Sequence, residues 1–209
     1  EEWQCPFKVF NDGDVTALAG AIAMKRTGIL GMAMGSSEAV GYINPKGALT
    51  GRINELAFAP VDLNPNAPKD EWSGDAGVGA MYFSQQAVDH LARLFGFKFP
   101  KSMKLPERLK VVQEAMEKHD EKALRVYLMI GRYLANAAAW YREFYDYSNL
   151  MVLGRVTSGF GGEVILNTAK MGLEAVDPYL AEQIDIFMPD EKTRRLGQSV
   201  AAAQIPVVA

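Results

Sequence analysis

The chain has 209 residues, 49% hydrophobic and 22% charged, which is ordinary globular usage and excludes a disordered chain. A formal net charge of -3 gives no electrostatic reason to expect nucleic acid as the main partner, and no run of about 20 apolar residues is present to cross a membrane. Cys5 is the only cysteine, which excludes an internal disulfide and a cysteine-built zinc site and is compatible with a reducing, cytoplasmic setting.

The chain opens Glu1-Glu2-Trp3 with no initiator methionine and no basic-then-apolar leader, which suggests a piece of a longer protein. Lys8-Val9-Phe10 reads as a short strand running into the turn-like cluster Asn11-Asp12-Gly13-Asp14. Val15 to Lys25 is alanine-rich with helical apolar spacing, and Asp14 is the expected N-cap. Strand, polar turn and helix in that order present side chains at a strand's carboxyl end, where open α/β sheets bind ligands. Gly28 to Gly35 is an apolar run bounded by glycines, the pattern of a buried strand. Ser36-Ser37-Glu38 turns the chain, Ala39 to Ile43 returns it as a second strand, and Asn44-Pro45-Lys46-Gly47 is a further turn. Thr50 to Lys69, with three prolines, reads as an ordered excursion across a surface.

From Ala76 the character becomes helical, with amphipathic helices over Ser84 to Phe95 and Glu107 to Lys118 and a long one over Asp120 to Tyr145. Leu150 to Leu153 is a strand closing on Gly154. A helix over Gly162 to Leu173, a strand over Ile184 to Met188 and a last helix over Glu191 to Gln204 complete the chain. Strands alternating with helices argue for an α/β sheet with a parallel component.

His90 and His119 sit on expected helices without a carboxylate or cysteine at ligand spacing and read as surface residues. No Gly-x-Ser-x-Gly elbow occurs, and the charged run Glu117 to Lys122 reads as a solvated helix junction. Tyr141, Phe144, Tyr145 and Tyr147 crowd the end of the long helix and read as core or homodimer packing.

Several segments, in order, resemble the ROK family of sugar kinases and sugar-responsive repressors. NDGDVTALAGA (Asn11 to Ala21) resembles its Asn-Asp segment, and GMAMGSSEAVGYI (Gly31 to Ile43) its glycine-rich phosphate hairpin. GRINELAF (Gly51 to Phe58) resembles its Gly-Glu-x-Gly-His segment. LMVLGRVTSGFGG (Leu150 to Gly162) resembles the turn that cradles adenosine, and GQSVAAAQIP (Gly197 to Pro206) the closing helix. The resemblance implies an α/β domain of the ribonuclease-H-like (actin/hexokinase ATPase) fold with a helical insertion over about 76–147. It also implies a carboxy-terminal lobe whose amino-terminal lobe, with its Asp-x-Gly-x-Thr hairpin, is missing from this chain.

What the resemblance implies for the site is concrete. Asp12 matches the base that takes a proton from the attacking sugar hydroxyl, and Asn11 and Glu55 match groups that hold neighbouring hydroxyls. Gly35, Ser36 and Ser37 would turn backbone N–H groups toward the phosphates of Mg-ATP, and Gly154 would let the backbone pass close to adenosine.

This sequence departs from the family at several points. Ser37 replaces a glycine, and Glu38 brings a carboxylate that would repel phosphate unless Mg²⁺ intervenes or the side chain turns away. Phe58 stands at the family's histidine, and WSGDAGVGA (Trp72 to Ala80) replaces the zinc segment with no cysteine, so no zinc is expected. Ala80 replaces a sugar-contacting glutamate, leaving Asp62 or Asp75 to restore part of the grip. The readings left open are a sugar kinase, a sugar-sensing transcriptional regulator without catalysis, and a scaffold that has lost both ligands.

Overall fold

The computed structural model describes residues 11–189. Helix α1 spans Asp12–Met24, and β1 (Ile29–Met34) and β2 (Glu38–Ile43) form an antiparallel hairpin around the turn at residues 35–37. Short 3-10 turns follow at Leu56–Phe58 and Gly79–Met81. Then come α2 (Gln85–Leu94), α3 (Leu105–Glu117), α4 (Glu121–Arg142), β3 (Asn149–Leu153), α5 (Phe160–Val176), α6 (Pro178–Gln183) and β4 (Asp185–Phe187). The sheet order is β2-β1-β3-β4, with β1, β3 and β4 parallel. Their carboxyl ends therefore share one edge.

The strands alternate with period 2, as a sheet covered on both faces requires. Leu30, Met32, Met34, Val40, Tyr42, Leu150, Val152 and Ile186 face one core, which α2, α3, α4 and α5 complete through residues such as Leu91, Val112, Tyr127, Ile130 and Ile165. Ile29, Ile43, Met151 and Phe187 face the opposite side, where α1 contributes Ala17. Gly131 on α4 lets it approach α5, because a Cβ there would run into Thr168 and the Ile165 carbonyl. Of the aromatic residues at the end of α4, Tyr141, Tyr145 and Tyr147 are buried in the first core, while Phe144 is half exposed.

Some local expectations are corrected. Helix α1 starts three residues earlier than expected, because the Asn11 side chain, not Asp14, accepts from the Gly13 N–H at 2.8 Å and caps it. Asp12 and Asp14 then lie in the first turn, favourably placed against the helix dipole. Residues 76–84 are loop and 3-10 turn, held by bridges Pro60–Val78 and Lys69–Ala76, and the helix begins only where Ser84 caps it. Helix α5 begins at Phe160, and α6 was not expected. Cys5, the strand at Lys8 to Phe10, the helix at Glu191 to Gln204 and the Gly197 to Pro206 segment lie outside the described residues. Among the described residues no helix is long and apolar enough to cross a membrane.

Candidate functional site

The expected site residues form two groups, one over the outer strand β2 and one at the carboxyl ends of β1 and β3. The first is built on the amino end of α1. Glycine makes this possible: a Cβ at Gly13 would strike the Val40 carbonyl, and one at Gly41 would strike the Gly13 carbonyl. Backbone thus rests on backbone, and Asn11 and Asp12 are seated over β2 three residues beyond Ser37. Asp12 is exposed and accepts from the Gly13 N–H at 2.9 Å through one oxygen. Asn11 donates through Nδ2 to Glu55 Oε1 at 3.3 Å. The same loop is held a second time, by Asn54 Nδ2 donating to Asp14 Oδ1 at 2.9 Å.

Asn54 and Asp14 are the residues that sequence reasoning missed. Asn54 is buried, and its own Oδ1 has no partner among the described residues. Asn54 and Asp14 are 40 residues apart, so no local spacing connects them.

The second group lies at the carboxyl ends of β1 and β3. Gly35 closes its own turn by donating N–H to the Ser37 carbonyl at 2.9 Å, which leaves the Ser36 and Ser37 N–H groups free of hydrogen bonds among the described residues. Gly154, with φ at 109°, is pressed against Met34, and Val156 donates to the Met34 carbonyl at 3.2 Å. Gly154 must be glycine for this contact alone.

Glu38 points away from the turn. It is 4% exposed, on the same core-facing side as Val40 and Tyr42, with neither carboxylate oxygen hydrogen-bonded among the described residues. Burial pushes its pKa from 4.5 up to about 8, so at neutral pH it is mostly the uncharged acid. It does not repel a ligand at Ser36 and Ser37.

The Trp72 to Ala80 segment is organised by Asp70. Asp70 is 3% exposed and accepts from the N–H groups of Trp72 and Ser73 at 3.0 and 2.7 Å and from Gln86 Nε2 at 2.8 Å. Burial pushes its pKa up, but these hydrogen bonds outweigh it and hold the group below the ordinary value. Asp62 accepts from Tyr82 and Asn64, Asp75 is exposed, Ala80 is fully buried and Phe58 is half exposed. Among the described residues no group of three or more His, Cys, Asp or Glu is placed to hold a metal ion.

Comparison of the fold with solved structures is decisive. A ROK family glucokinase from Streptomyces griseus, solved with glucose and AMPPNP, superposes with a TM-score of 0.72 over 94% of this chain and 68% of its own, at 18% identity. The chain has the ROK fold.

Other ROK structures superpose as well. A ROK family transcriptional regulator, a homologue of the Escherichia coli MLC protein, gives 0.68 over 92% of this chain and 50% of its own, at 15% identity. A ROK hexokinase from Thermus thermophilus gives 0.66 over 93% and 64%, at 17% identity. The chain thus spans between half and about two-thirds of the length of these ROK structures. No protein-family model and no curated protein matches the sequence.

Proposed function

We propose that this chain is the carboxy-terminal lobe of a cytoplasmic ROK-type sugar kinase, which with an amino-terminal lobe transfers the γ-phosphate of ATP to a sugar hydroxyl. The observation that carries the reading is the grouping of Asn11, Asp12 and Glu55 around the amino end of α1, with Asn11 bonded to Glu55 and the Asp12 carboxylate open to solvent. Sugar alcohols are weak nucleophiles at neutral pH, so a fixed carboxylate has clear work there. Asp12 accepts the hydroxyl proton as the new oxygen–phosphorus bond forms and the bond to the β–γ bridging oxygen breaks, releasing ADP. Asn11 and Glu55 hold adjacent hydroxyls.

The free Ser36 and Ser37 N–H groups suit phosphate oxygens, and Gly154 keeps the neighbouring backbone slim where adenosine would lie. Magnesium carried by the nucleotide supplies charge neutralisation on the phosphates. A ROK-type sugar-sensing regulator is the second reading. Phe58 and Ala80 favour it, because they place an apolar ring and a buried methyl where the family has sugar-contacting groups.

Calorimetry of the full-length protein with Mg-ATP and a panel of hexoses and amino sugars tests the proposal. Under the kinase reading Asp12→Asn lowers kcat by about 10²- to 10⁴-fold while sugar affinity is retained. A sugar that binds while nucleotide does not supports the regulator instead, and full activity in Asp12→Asn removes Asp12 as the base.

A further inference from the structure

We propose that the pocket between residues 60–63 and α4 binds a small quaternary ammonium compound, a methylated nitrogen cation carried on an apolar body. The pocket, about 400 Å³, is lined by Asp62, Leu63, Tyr82, Phe83, Tyr133 and Trp140 among others. None of Asn11, Asp12, Glu55, Ser36, Ser37 or Gly154 lines it, so it is separate from both groups of expected site residues. Its volume falls within the roughly 300–1,000 Å³ typical of ligand pockets.

Charge carries the argument. Asp62 is the only charged residue in the lining, and among the described residues no lysine, arginine or histidine pairs with it. It is half-buried beside the aromatic wall: the Tyr82 hydroxyl donates to Oδ2, and the Asn64 N–H donates to Oδ1 at 2.8 Å. Its field reaches both tyrosines of the lining. Burial, then the hydrogen bond to Asp62 and its charge, push the Tyr82 phenol up; burial and then the Asp62 charge do the same to Tyr133. Both hydroxyls therefore stay protonated, and the pocket carries one negative charge with no cation to balance it. A cationic ligand balances it, and an anion is repelled.

The rest of the lining says which kind of cation. Each Asp62 oxygen already accepts one hydrogen bond, so the group offers mainly charge, which a nitrogen without N–H uses fully. Aromatic rings attract such a nitrogen and cover its methyl groups. The Tyr82 and Tyr133 rings stand at 79° with centroids 5.0 Å apart, which makes a corner of two aromatic walls. Trp140, 45% exposed, is braced edge-on by Phe144 at 4.9 Å and adds the ring type that attracts cations best. Buried Phe83 and exposed Leu63 supply apolar surface for the body of the ligand. A sugar finds little here, since the one amide in the lining, Asn136, already donates to the Arg132 carbonyl at 3.0 Å. Nothing in this argument depends on phosphoryl transfer.

The test is a titration of the ¹⁵N-tryptophan-labelled full-length protein with choline and with its neutral isostere 3,3-dimethylbutan-1-ol. The Trp140 indole signal, identified by its loss in Trp140→Phe, is followed. Choline should move it saturably and bind about tenfold or more tightly than the alcohol. Asp62→Asn, which keeps the shape and removes the charge, should weaken choline about tenfold and bring it level with the alcohol. The proposal is overturned if choline gives no saturable movement or if the alcohol binds as tightly, results the wild type alone provides. It is equally overturned if folded Asp62→Asn binds choline as the wild type does. Movement of the signal with protein concentration alone, unaffected by choline, would assign this face to a second copy of the chain and also overturn it. Asp12→Asn should respond to choline as the wild type does, which separates this site from the proposed catalytic one.

Discussion

Glu38 makes the stability of this protein depend on pH in the direction opposite to that of most carboxylates. Its carboxyl group is buried beside Gly79 and the Leu56 carbonyl, with no hydrogen bond to either oxygen among the described residues. The Tyr141 hydroxyl, also buried and unpartnered, is pushed well above its ordinary pKa by burial and then by Glu38. Because the folded pKa of about 8 lies above the ordinary 4.5, the folded state holds a proton that the unfolded chain releases. The contribution is therefore fully present below about pH 4.5 and is lost as pH rises through about 8. At ~1.4 kcal/mol per unit, the loss across that interval is roughly 5 kcal/mol. Glu38→Gln keeps the shape and removes the titration. Guanidinium unfolding of both proteins at pH 5, 6.5 and 8 should give similar stability at pH 5 and an advantage of roughly 4 kcal/mol for the variant at pH 8. Parallel profiles would refute the reasoning, since they would mean that Glu38 is solvated or paired in the fold.

Gly41→Ala drives a methyl into the Gly13 carbonyl and should cost about 3 kcal/mol, read as a fall in Tm of roughly 6–12 °C. Gly35→Ala, whose methyl meets only the Ser37 carbonyl at 3.4 Å, should cost less than about 1 kcal/mol in the same scan. Asp70→Ala strands the Trp72 and Ser73 N–H groups and the Gln86 amide, and a loss of about 3 kcal/mol with faster proteolysis near residue 72 is expected. Since the Asp70 pKa is depressed, its contribution is present above about pH 3.8 and lost as pH falls below that, so the variant should show a shallower acid limb.

The strands were legible because apolar runs bounded by Gly28, Gly35 and Gly154 have few alternatives. The long helices were legible from their periodicity. The start of α1 was not, because Asn11, Asp12 and Asp14 are all residue types that cap helices, and which of them holds the extended backbone just before the first turn is a matter of geometry. Helix α6 had a readable signal in Asp177 followed by Pro178, a cap and a first-turn proline, though six residues are too few to show a period. The inward turn of Glu38 was also readable in principle, since Glu38, Val40 and Tyr42 share one phase of the strand, but a carboxylate after two serines reads as solvent-exposed. The Asn54–Asp14 and Asp70–Gln86 bonds were beyond reach, because each joins segments that only the tertiary fold brings together.

The seam between Gly13 and Gly41 bears on how such a protein changes over evolutionary time. The position of Asp12 is referenced to main-chain atoms of β2, so exchange of apolar side chains in either core leaves that reference untouched. A lineage of this kind can rewrite most of its sequence and keep the carboxylate where it was. The two positions at which a side chain would disturb that reference are Gly13 and Gly41, which carry no chemistry of their own.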